Sequence, residues 1–413
     1  MENSPGKKIK EEEELKKLSK ISLFSVLLIV LGTLAACAGG KSEEAGNTTT
    51  TAEGENTVVV GYSGPLSGAA AQYGINVLNG LEMAAEEINE TGFEVDGKTY
   101  KIKLVPMDDK YLPNETGVNV QRIATENDPV AVWIPHSGGV FASQTFNEKE
   151  NVIIMAQTSE PRMYEQGNKM MIGISPQYNI WPKTFSKYIM EHFGKKMALI
   201  PTNSQYGKDW LNVIEPVWEE MGGEFVFKGE IDFAKDTDYF TIMTNVLKQK
   251  PDVLFVGGPS EPTAKVVKQA QELGYTGSYM IMDQAKMEEM SGVIGGYEHL
   301  NGSVGVLPVD QIGSEASKLF VKNYQEKFNE KYATADSSLS YQGLYVLVEA
   351  MKEAKTVEDR SAIMAAVNEG IPNIPEEKAV IPLTGMSEVG SLQWEIQAGA
   401  VEDGQVIALP LEK

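Results

Sequence analysis

The 413-residue chain has little of the side-chain chemistry that most enzymes use. It holds one cysteine, Cys37, and three histidines, His136, His192 and His299, which are not at metal-ligand spacing. A single cysteine excludes a disulfide within the chain. The motifs H-E-x-x-H, G-x-S-x-G and G-x-G-x-x-G, typical of zinc peptidases, hydrolases and dinucleotide-binding proteins, are absent. We therefore expect a protein that is not an enzyme and that uses no metal ion and no cofactor.

Positive charge is also scarce. The chain has 36 lysines and arginines against 58 aspartates and glutamates, which gives a net charge of −22 at pH 7. Nucleic acids and anionic lipid surfaces repel such a protein, so we expect no nucleic-acid partner. With so many acidic residues, carboxylates come close together by chance, and pairs of them carry little weight as catalytic candidates.

A basic segment, Lys16–Lys20, and an apolar run, Ile21–Ala36, stand directly before Cys37. The run is shorter than the roughly 20 residues that span a membrane, and the order is typical of a secretory signal. Leu34-Ala35-Ala36-Cys37 also resembles a bacterial lipobox. We predict a signal peptide over residues 1–36 and a lipid on Cys37, which places the remainder outside the cytoplasmic membrane. A transmembrane anchor with an incidental cysteine is the alternative.

Residues 37–56 are predicted to form a flexible tether. Ser42–Asn56 contains no apolar residue larger than alanine, so it cannot bury enough surface to offset the entropy of ordering it. A spacer of this kind lets a folded body move above a membrane surface.

Strand and helix patterns alternate from Thr57 onwards, over a length that suits two domains rather than one core. Apolar residues at helical spacing predict a helix over Gln72–Asn89. Repeated strand–helix units favour an α/β fold with parallel sheets and helices on both faces. Two such series occur, one before Pro176 and one after it.

The region after Ser303 differs, because three helical patterns are followed by a β-rich tail. This order predicts a chain that builds a second lobe and then returns to the first. We place the crossings near Ser175, Gly302 and Thr384. The predicted helices are 315–332, 339–354 and 357–369. The predicted division is 57–175 and 303–384 for the first lobe, and 176–302 and 385–413 for the second.

Small hydroxyl and glycine residues cluster at three strand-to-helix junctions of the first series. These junctions are Gly64–Gly74, His136–Gly139 and Ala156–Pro161. In open α/β sheets, ligands bind beyond the carboxyl ends of the strands, and helix N-termini there suit a carboxylate. Each junction alone is better explained as a helix cap or turn, but three in one lobe favour a binding site.

Together with further motifs, these junctions make the sequence resemble the branched-chain amino-acid-binding proteins of ABC importers. These are type I periplasmic-binding proteins. The resemblance covers Thr57 to Leu409. It implies two Rossmann-like lobes, joined by a three-stranded hinge, that close on a ligand. The motifs that carry it are Gly64-Pro65-Leu66-Ser67-Gly68, Asn79-Gly80, Ile88-Asn89, the Ser137 loop, Thr158-Ser159-Glu160-Pro161, Ser204-Gln205-Tyr206-Gly207-Lys208, Pro251-Asp252, Gly257-Gly258 and the Asp283 turn.

The resemblance implies roles for four residues at the carboxylate end of a ligand. Ser137 and Ser159 match positions whose hydroxyl groups hold the carboxylate in amino-acid binders. Gly138 and Thr158 match positions that add backbone contacts.

Three other residues match the remaining walls of such a site. Tyr73 matches an aromatic residue of the first lobe, and Tyr206 a tyrosine that covers the ligand. Asp283 stands where amino-acid binders pair an acidic residue with the ammonium group, although a turn residue starting a helix is an equal alternative. The first crossing departs from the pattern, since the family usually carries a polar residue pair there, and its Trp181 is either a ligand wall or hinge packing. Gly258-Pro259-Ser260-Glu261 departs from the pattern, since amino-acid binders often place a tyrosine there.

The expected function is that of a lipid-anchored solute-binding protein. It would deliver an amino acid, or a related small polar molecule, to the permease subunits of an ABC importer. A binder of an aromatic carboxylate or a short amide is an alternative ligand class. A ligand-sensing receptor without transport and a hydrolase are alternatives of other classes.

Overall fold

The computed structural model describes residues 56–412. The predicted signal peptide, Cys37 and the predicted tether, apart from Asn56, lie outside the described residues. The strands are β1 Asn56–Gly64, β2 Phe93–Val95, β3 Lys98–Asp108, β4 Ala131–Ile134, β5 Ile153–Ala156, β6 Met171–Gly173, β7 Lys196–Pro201, β8 Glu224–Lys228, β9 Val253–Gly257, β10 Ser278–Ile281, β11 Val304–Val306, β12 Leu383–Met386, β13 Leu392–Trp394, β14 Ala398–Glu402 and β15 Gln405–Leu409.

The helices alternate with these strands up to β11 and then follow one another. They are α1 Ala71–Thr91, α2 Pro113–Asn127, α3 Ser137–Gln144, α4 Pro182–His192, α5 Gln205–Glu220, α6 Phe240–Leu247, α7 Ser260–Glu272, α8 Met287–Ile294, α9 Glu315–Phe328, α10 Ala335–Ala354, α11 Arg360–Ala365 and α12 Val367–Gly370.

The first sheet has the strand order β2-β3-β1-β4-β5-β6, and only β2 runs antiparallel to its neighbour. Side chains alternate along β4. Ala131 and Trp133 join a core with α1 and α10, whereas Val132 and Ile134 join a core with α2 and α3. Because the sheet is covered on both faces, its central strands are apolar throughout. This sheet and the helices packed on it form the first lobe.

The second sheet has the order β15-β14-β11-β10-β9-β7-β8. Strands β7 to β11 pair in parallel, and β14 and β15 add an antiparallel edge. Side chains of β7 alternate between two cores in the same way, with Ala198 and Ile200 on one side and Met197 and Leu199 on the other. This sheet and its helices form the second lobe. The predicted α/β class with two sheet-based lobes is confirmed.

The chain passes between the lobes three times, at 174–181, 307–314 and 395–397. We call these segments the hinge. Strand β11 lies in the second sheet, a few residues beyond the expected crossing at Gly302. The β12–β13 hairpin packs on the core of the first lobe, and Nε1 of Trp394 donates to the carbonyl of Ile174 at 2.6 Å. The residue ranges given above for the lobes stay predictions.

One predicted helix, 357–369, is replaced by two short helices, α11 and α12. The hydroxyl of Thr356 accepts hydrogen bonds from the N–H groups of Glu358 and Asp359, which makes a turn there. The carboxylate of Asp359 then caps α11 by accepting from the N–H of Ala362 at 3.0 Å. Local side-chain bonds of this kind compete with helix formation, and they delay the start of the helix.

Within residues 56–412, no helix combines the length and apolar character needed to cross a bilayer. The same residues contain no group of three or more His, Cys, Asp or Glu side chains that could hold a metal ion.

Glycine is required where α1 crosses α10. A Cβ atom at Gly80 would lie 2.2 Å from the carbonyl oxygen of Ser337 and from Oγ of Ser340. We expect Gly80→Ala to lower the free energy of unfolding by about 1–3 kcal/mol through overpacking. Gly117→Ala, inside α2, is the matched control, because a Cβ there would meet only Ala142, at 3.9 Å. Helix propensity predicts that the control stabilises by about 0.5–1 kcal/mol.

Denaturant unfolding of both variants checks this prediction. Equal effects of the two substitutions would contradict the close packing of α1 on α10.

Candidate functional site

A small cavity lies between the two lobes, at the carboxyl ends of their strands. Its walls come from segments that follow β4 and β5 in the first lobe and β10 in the second, and from the start of α10. The free volume is about 30 Å³, which is room for about two water molecules. Six of the predicted site residues line it: Tyr73, Ser137, Thr158, Ser159, Tyr206 and Asp283. Their role in ligand binding stays a prediction.

Ser137 is the first residue of α3, which His136 caps. Nδ1 of His136 accepts a hydrogen bond from the N–H of Gly139 at 3.0 Å, so Nε2 carries the ring proton and donates to Asp109 at 2.9 Å. Burial opposes the charge on Asp109, but the bond from His136 keeps the pKa of this carboxyl below its usual range. The first N–H groups of α3 have no partner inside the helix. This helix start therefore suits a carboxylate.

Thr158 and Ser159 follow β5 on a loop that two other elements hold in place. The side chain of the preceding residue, Gln157, accepts from Nε1 of Trp133 at 2.7 Å. It also donates to the backbone carbonyl of Asp336 at 2.7 Å. Because Gln157 is tied to both β4 and α10, the two hydroxyl residues are held at the cavity wall.

Three tyrosine rings form the aromatic part of the wall. The hydroxyl of Tyr73 donates to the carbonyl of Pro135 at 2.5 Å. The hydroxyl of Tyr111 accepts from Nε2 of Gln284 at 3.1 Å, across the two lobes. Burial raises the pKa of Tyr111 to about 12 and that of Tyr206 well above its ordinary value, so these hydroxyl groups stay neutral.

Asp283 lies in the loop after β10, with its carboxylate oriented by two donors. The hydroxyl of Tyr206 and Nε1 of Trp210 both donate to Oδ1, the latter at 2.7 Å. The helix that follows, α8, begins only at Met287, with Lys286 at its N-cap. Asp283 is therefore not the cap of that helix, and its second oxygen, Oδ2, is the atom that could meet a ligand cation.

Gly138 and Trp181 lie outside the cavity lining. A Cβ atom at Gly138 would stand 2.6 Å from Cγ of Pro113, so the glycine permits a close approach of α2 and α3. The ring of Trp181 stacks on Phe185 with centroids 5.6 Å apart, in a core of the second lobe. These contacts favour the hinge-packing interpretation of Trp181.

A buried ion pair, which the sequence did not indicate, joins the lobes across the cavity. Nζ of Lys286, from the second lobe, lies 3.1 Å from Oδ2 of Asp336, from the first turn of α10. The two side chains are 6% and 9% exposed, and the ammonium also donates to the carbonyl of Asp283. Burial opposes the charge on Lys286, but Asp336 and Asp283 raise its pKa. Burial raises the pKa of Asp336 to about 6 even beside this lysine.

A second cavity, of about 80 Å³, lies inside the hinge. All three crossings contribute to it, and Glu395 and Gln397 add polar groups. Its apolar wall consists of Pro176, Trp181, Val306, Leu307, Ile312, Ala335, Leu339, Ile381 and Ile396. The residues that it shares with the first cavity are Ser175, Asp283, Lys286 and Asp336. These four residues therefore line both cavities.

A third contact between the lobes pairs two buried carboxyl groups, Glu160 and Asp209, with one arginine. Arg162 lies 3.0 Å from Glu160 and 2.5 Å from Asp209. Burial opposes the charge on Glu160, but Arg162 keeps the pKa of this carboxyl below its usual range. Burial and the neighbouring Glu160 raise the pKa of Asp209 well above its usual range, so Asp209 is the carboxyl that takes up a proton first.

A family model for periplasmic binding proteins matches residues 57–377. The chain belongs to the periplasmic binding protein family. The matched residues include both sheets apart from β14 and β15, all twelve helices and every residue of the cavity lining.

Curated relatives of this binding protein support the same family. An amino acid binding protein of Pseudomonas aeruginosa is 26% identical over 250 residues, which are 59% of this chain and 65% of that protein. A Leu/Ile/Val-binding protein of Escherichia coli is 23% identical over 242 residues, 58% of this chain and 64% of that protein. The chain thus spans slightly less than two thirds of the length of these relatives.

Solved structures share the fold. A branched-chain amino acid transporter substrate binding protein, LivJ, from Streptococcus pneumoniae in complex with isoleucine has a TM-score of 0.71 and 23% identity, covering 87% of this chain and 100% of that one. A solute binding protein of an ABC transporter from R. palustris in complex with benzoate has a TM-score of 0.72 and 15% identity, covering 86% and 96%. The predicted type I periplasmic-binding-protein fold is therefore confirmed.

Lys286, Asp336 and Tyr111 line the cavity of this binding protein and were not among the predicted site residues. Lys286 and Asp336 lie in none of the recognised motifs. One signal could have pointed to Asp336 as a site residue. Helix α10 is buried along most of its length, and a charged residue in such a helix needs a partner.

The Glu160–Asp209 pair predicts a pH-dependent stability. A raised pKa means that the folded protein keeps a proton that the unfolded chain releases above about pH 4. The contribution of this proton to the stability of the folded protein is complete below about pH 4 and is lost as the pH rises through the raised pKa of Asp209. Asp209→Asn keeps the group neutral. We expect the melting temperature of the wild type to fall relative to that of the variant as the pH rises from about 5 to about 8.

Parallel melting curves over this pH range provide the measurement. A constant difference between the wild type and Asp209→Asn would contradict the raised pKa of Asp209.

Proposed function

We propose that this chain is the extracytoplasmic solute-binding component of an ABC importer and that it binds an α-amino acid as a zwitterion between its lobes. One observation carries the proposal. The cavity brings a helix start with Ser137 and the Ser159 hydroxyl on one lobe opposite the Asp283 carboxylate on the other. These are groups of opposite polarity, suited to the carboxylate and ammonium ends of one small molecule.

The charges around the cavity support a ligand that brings a cation. Asp283 and Asp336 carry two negative charges, and Lys286 supplies one positive charge. An ammonium group at Asp283 would offset the negative charge that Lys286 leaves unpaired, while the ligand carboxylate meets the N–H groups at the helix start. Both ends of a zwitterion lose water on closure, so each needs a partner in the site.

An aromatic carboxylate is the second candidate, because the rings of Tyr73, Tyr111 and Tyr206 line the cavity and the structure from R. palustris holds benzoate. Such a ligand would add a negative charge beside Asp283 and Asp336 without a cation to offset it. This imbalance makes it the weaker proposal.

Delivery to an ABC permease rests on the kinds of relatives that the chain resembles. The solved relatives from S. pneumoniae and R. palustris are described as transporter binding proteins. The predicted signal peptide over residues 1–36 and the lipid on Cys37 would hold the protein at the outer face of the cell membrane, where a permease is within reach.

The lipid anchor is tested by Cys37→Ala. Since the thiol is the site of lipid attachment, we expect the variant either to leave the membrane fraction or to retain its uncleaved signal. Cell fractionation with immunoblotting, and the mass of the processed protein, provide the measurement. A variant that fractionates and is processed like the parent would show that Cys37 carries no anchor.

The zwitterion is tested by Asp283→Asn. Loss of a charge-assisted contact worth about 1.5–3 kcal/mol should weaken amino-acid binding by roughly 10- to 150-fold and weaken a simple carboxylate much less. Asp403→Asn is the matched control, because Asp403 lies in the exposed β14–β15 turn. Isothermal titration with a panel of amino acids, amides and aromatic acids measures the affinities of both variants.

Unchanged amino-acid affinity in Asp283→Asn would refute the zwitterion while leaving a solute-binding role intact. Tight binding of an aromatic acid, with no binding of any amino acid, would favour the second candidate.

A further inference from the structure

We propose that Lys286 and Asp336 select the side chain of the ligand, and that this side chain is a neutral hydrogen-bonding group, a carboxamide or a hydroxyl. This inference rests on the proposed function, since it takes an amino acid in the cavity as given. It departs from the aliphatic ligands that the names of several relatives state.

The cavity wall is polar. Of the residues that line it, Pro135 alone lacks a polar side-chain group. The others are tyrosine, serine, threonine, histidine, glutamine, lysine and aspartate. An aliphatic side chain held here would contact the Lys286 ammonium and the Asp336 carboxylate and would leave their remaining hydrogen-bonding capacity unused and shielded from water.

The ion pair offers a donor and an acceptor side by side. Nζ of Lys286 donates and Oδ2 of Asp336 accepts, 3.1 Å apart. A carboxamide matches this arrangement, because its carbonyl accepts from an ammonium and its NH2 donates to a carboxylate. A hydroxyl group also does both.

The ionised alternatives fit less well. An acidic side chain would add a third negative charge to those of Asp283 and Asp336, and a basic side chain would find Asp336 already paired with the ammonium of Lys286 at 3.1 Å. Like charges that lie close together in a buried site repel each other strongly. A neutral polar side chain leaves the charges of Lys286 and Asp336 paired with each other.

The hinge cavity is the rival position for an aliphatic side chain, because its wall is mostly apolar. Ser175, Asp283, Lys286 and Asp336 line both cavities. A side chain that reached the hinge between Lys286 and Asp336 would part them and leave both buried charges unpaired. The closed ion pair therefore favours the polar side chain.

The experiment compares amino acids of nearly equal shape on the wild-type protein. L-asparagine is matched with L-leucine, and L-threonine with L-valine. Isothermal titration should show the polar member of each pair binding at least 10-fold more tightly.

The double variant Lys286→Met/Asp336→Leu removes both charges together, so neither is left unpaired. The adjoining hinge cavity of about 80 Å³ gives the larger leucine side chain room. We expect the variant to bind leucine more tightly than asparagine, and a melting curve shows that it folds. The wild-type comparison decides the proposal even if the variant does not fold.

Two outcomes separate this inference from the proposal on which it rests. Tighter binding of leucine and valine by the wild type overturns the polar side chain and leaves amino-acid binding in place. Absence of binding for every amino acid overturns the proposed function, and this inference with it.

Discussion

A buried ion pair between the lobes, Lys286 to Asp336, stands at the centre of the cleft and lines both of its cavities. Removing one partner of such a pair costs about 3–5 kcal/mol. Burying an aliphatic chain of three carbons in the hinge cavity would return only about 2–3 kcal/mol, at about 0.8 kcal/mol per methylene. If the cavity binds an amino acid as proposed, the pair would therefore stay closed against an aliphatic side chain. This interaction also fixes how the lobes meet, because one partner comes from each.

Polar contacts of the same kind occur along the cleft. Arg162 bridges to Asp209 across the lobes, and the side-chain amide of Asn76, in α1, donates to Glu289, in α8, at 2.6 Å. Each contact replaces bonds to water that an open cleft would allow. Such exchanges are close to neutral in free energy, so a ligand that adds one more matched contact would shift the balance towards this arrangement of the lobes.

Much of the fold could be predicted because local sequence patterns determine its strands and helices. Alternating apolar strands such as β4, and the helix stripe of α1, are set by burial on a sheet face, and the junctions at Ser137 and Ser159 follow from strand ends. Pairing of distant residues could not be predicted, since Lys286 and Asp336 are 50 positions apart and meet only when α10 returns to the first lobe. The turn at Thr356 was missed because its side-chain bonds override helix propensity.

A crystal structure with the most tightly bound amino acid tests the central claim most directly. The account predicts the ligand carboxylate within hydrogen-bonding distance of Ser137 and Ser159, and its ammonium at Oδ2 of Asp283. It also predicts a side chain that bonds to Lys286 and Asp336 while the pair stays closed. A ligand side chain inserted into the hinge cavity, with Lys286 and Asp336 apart, would contradict it.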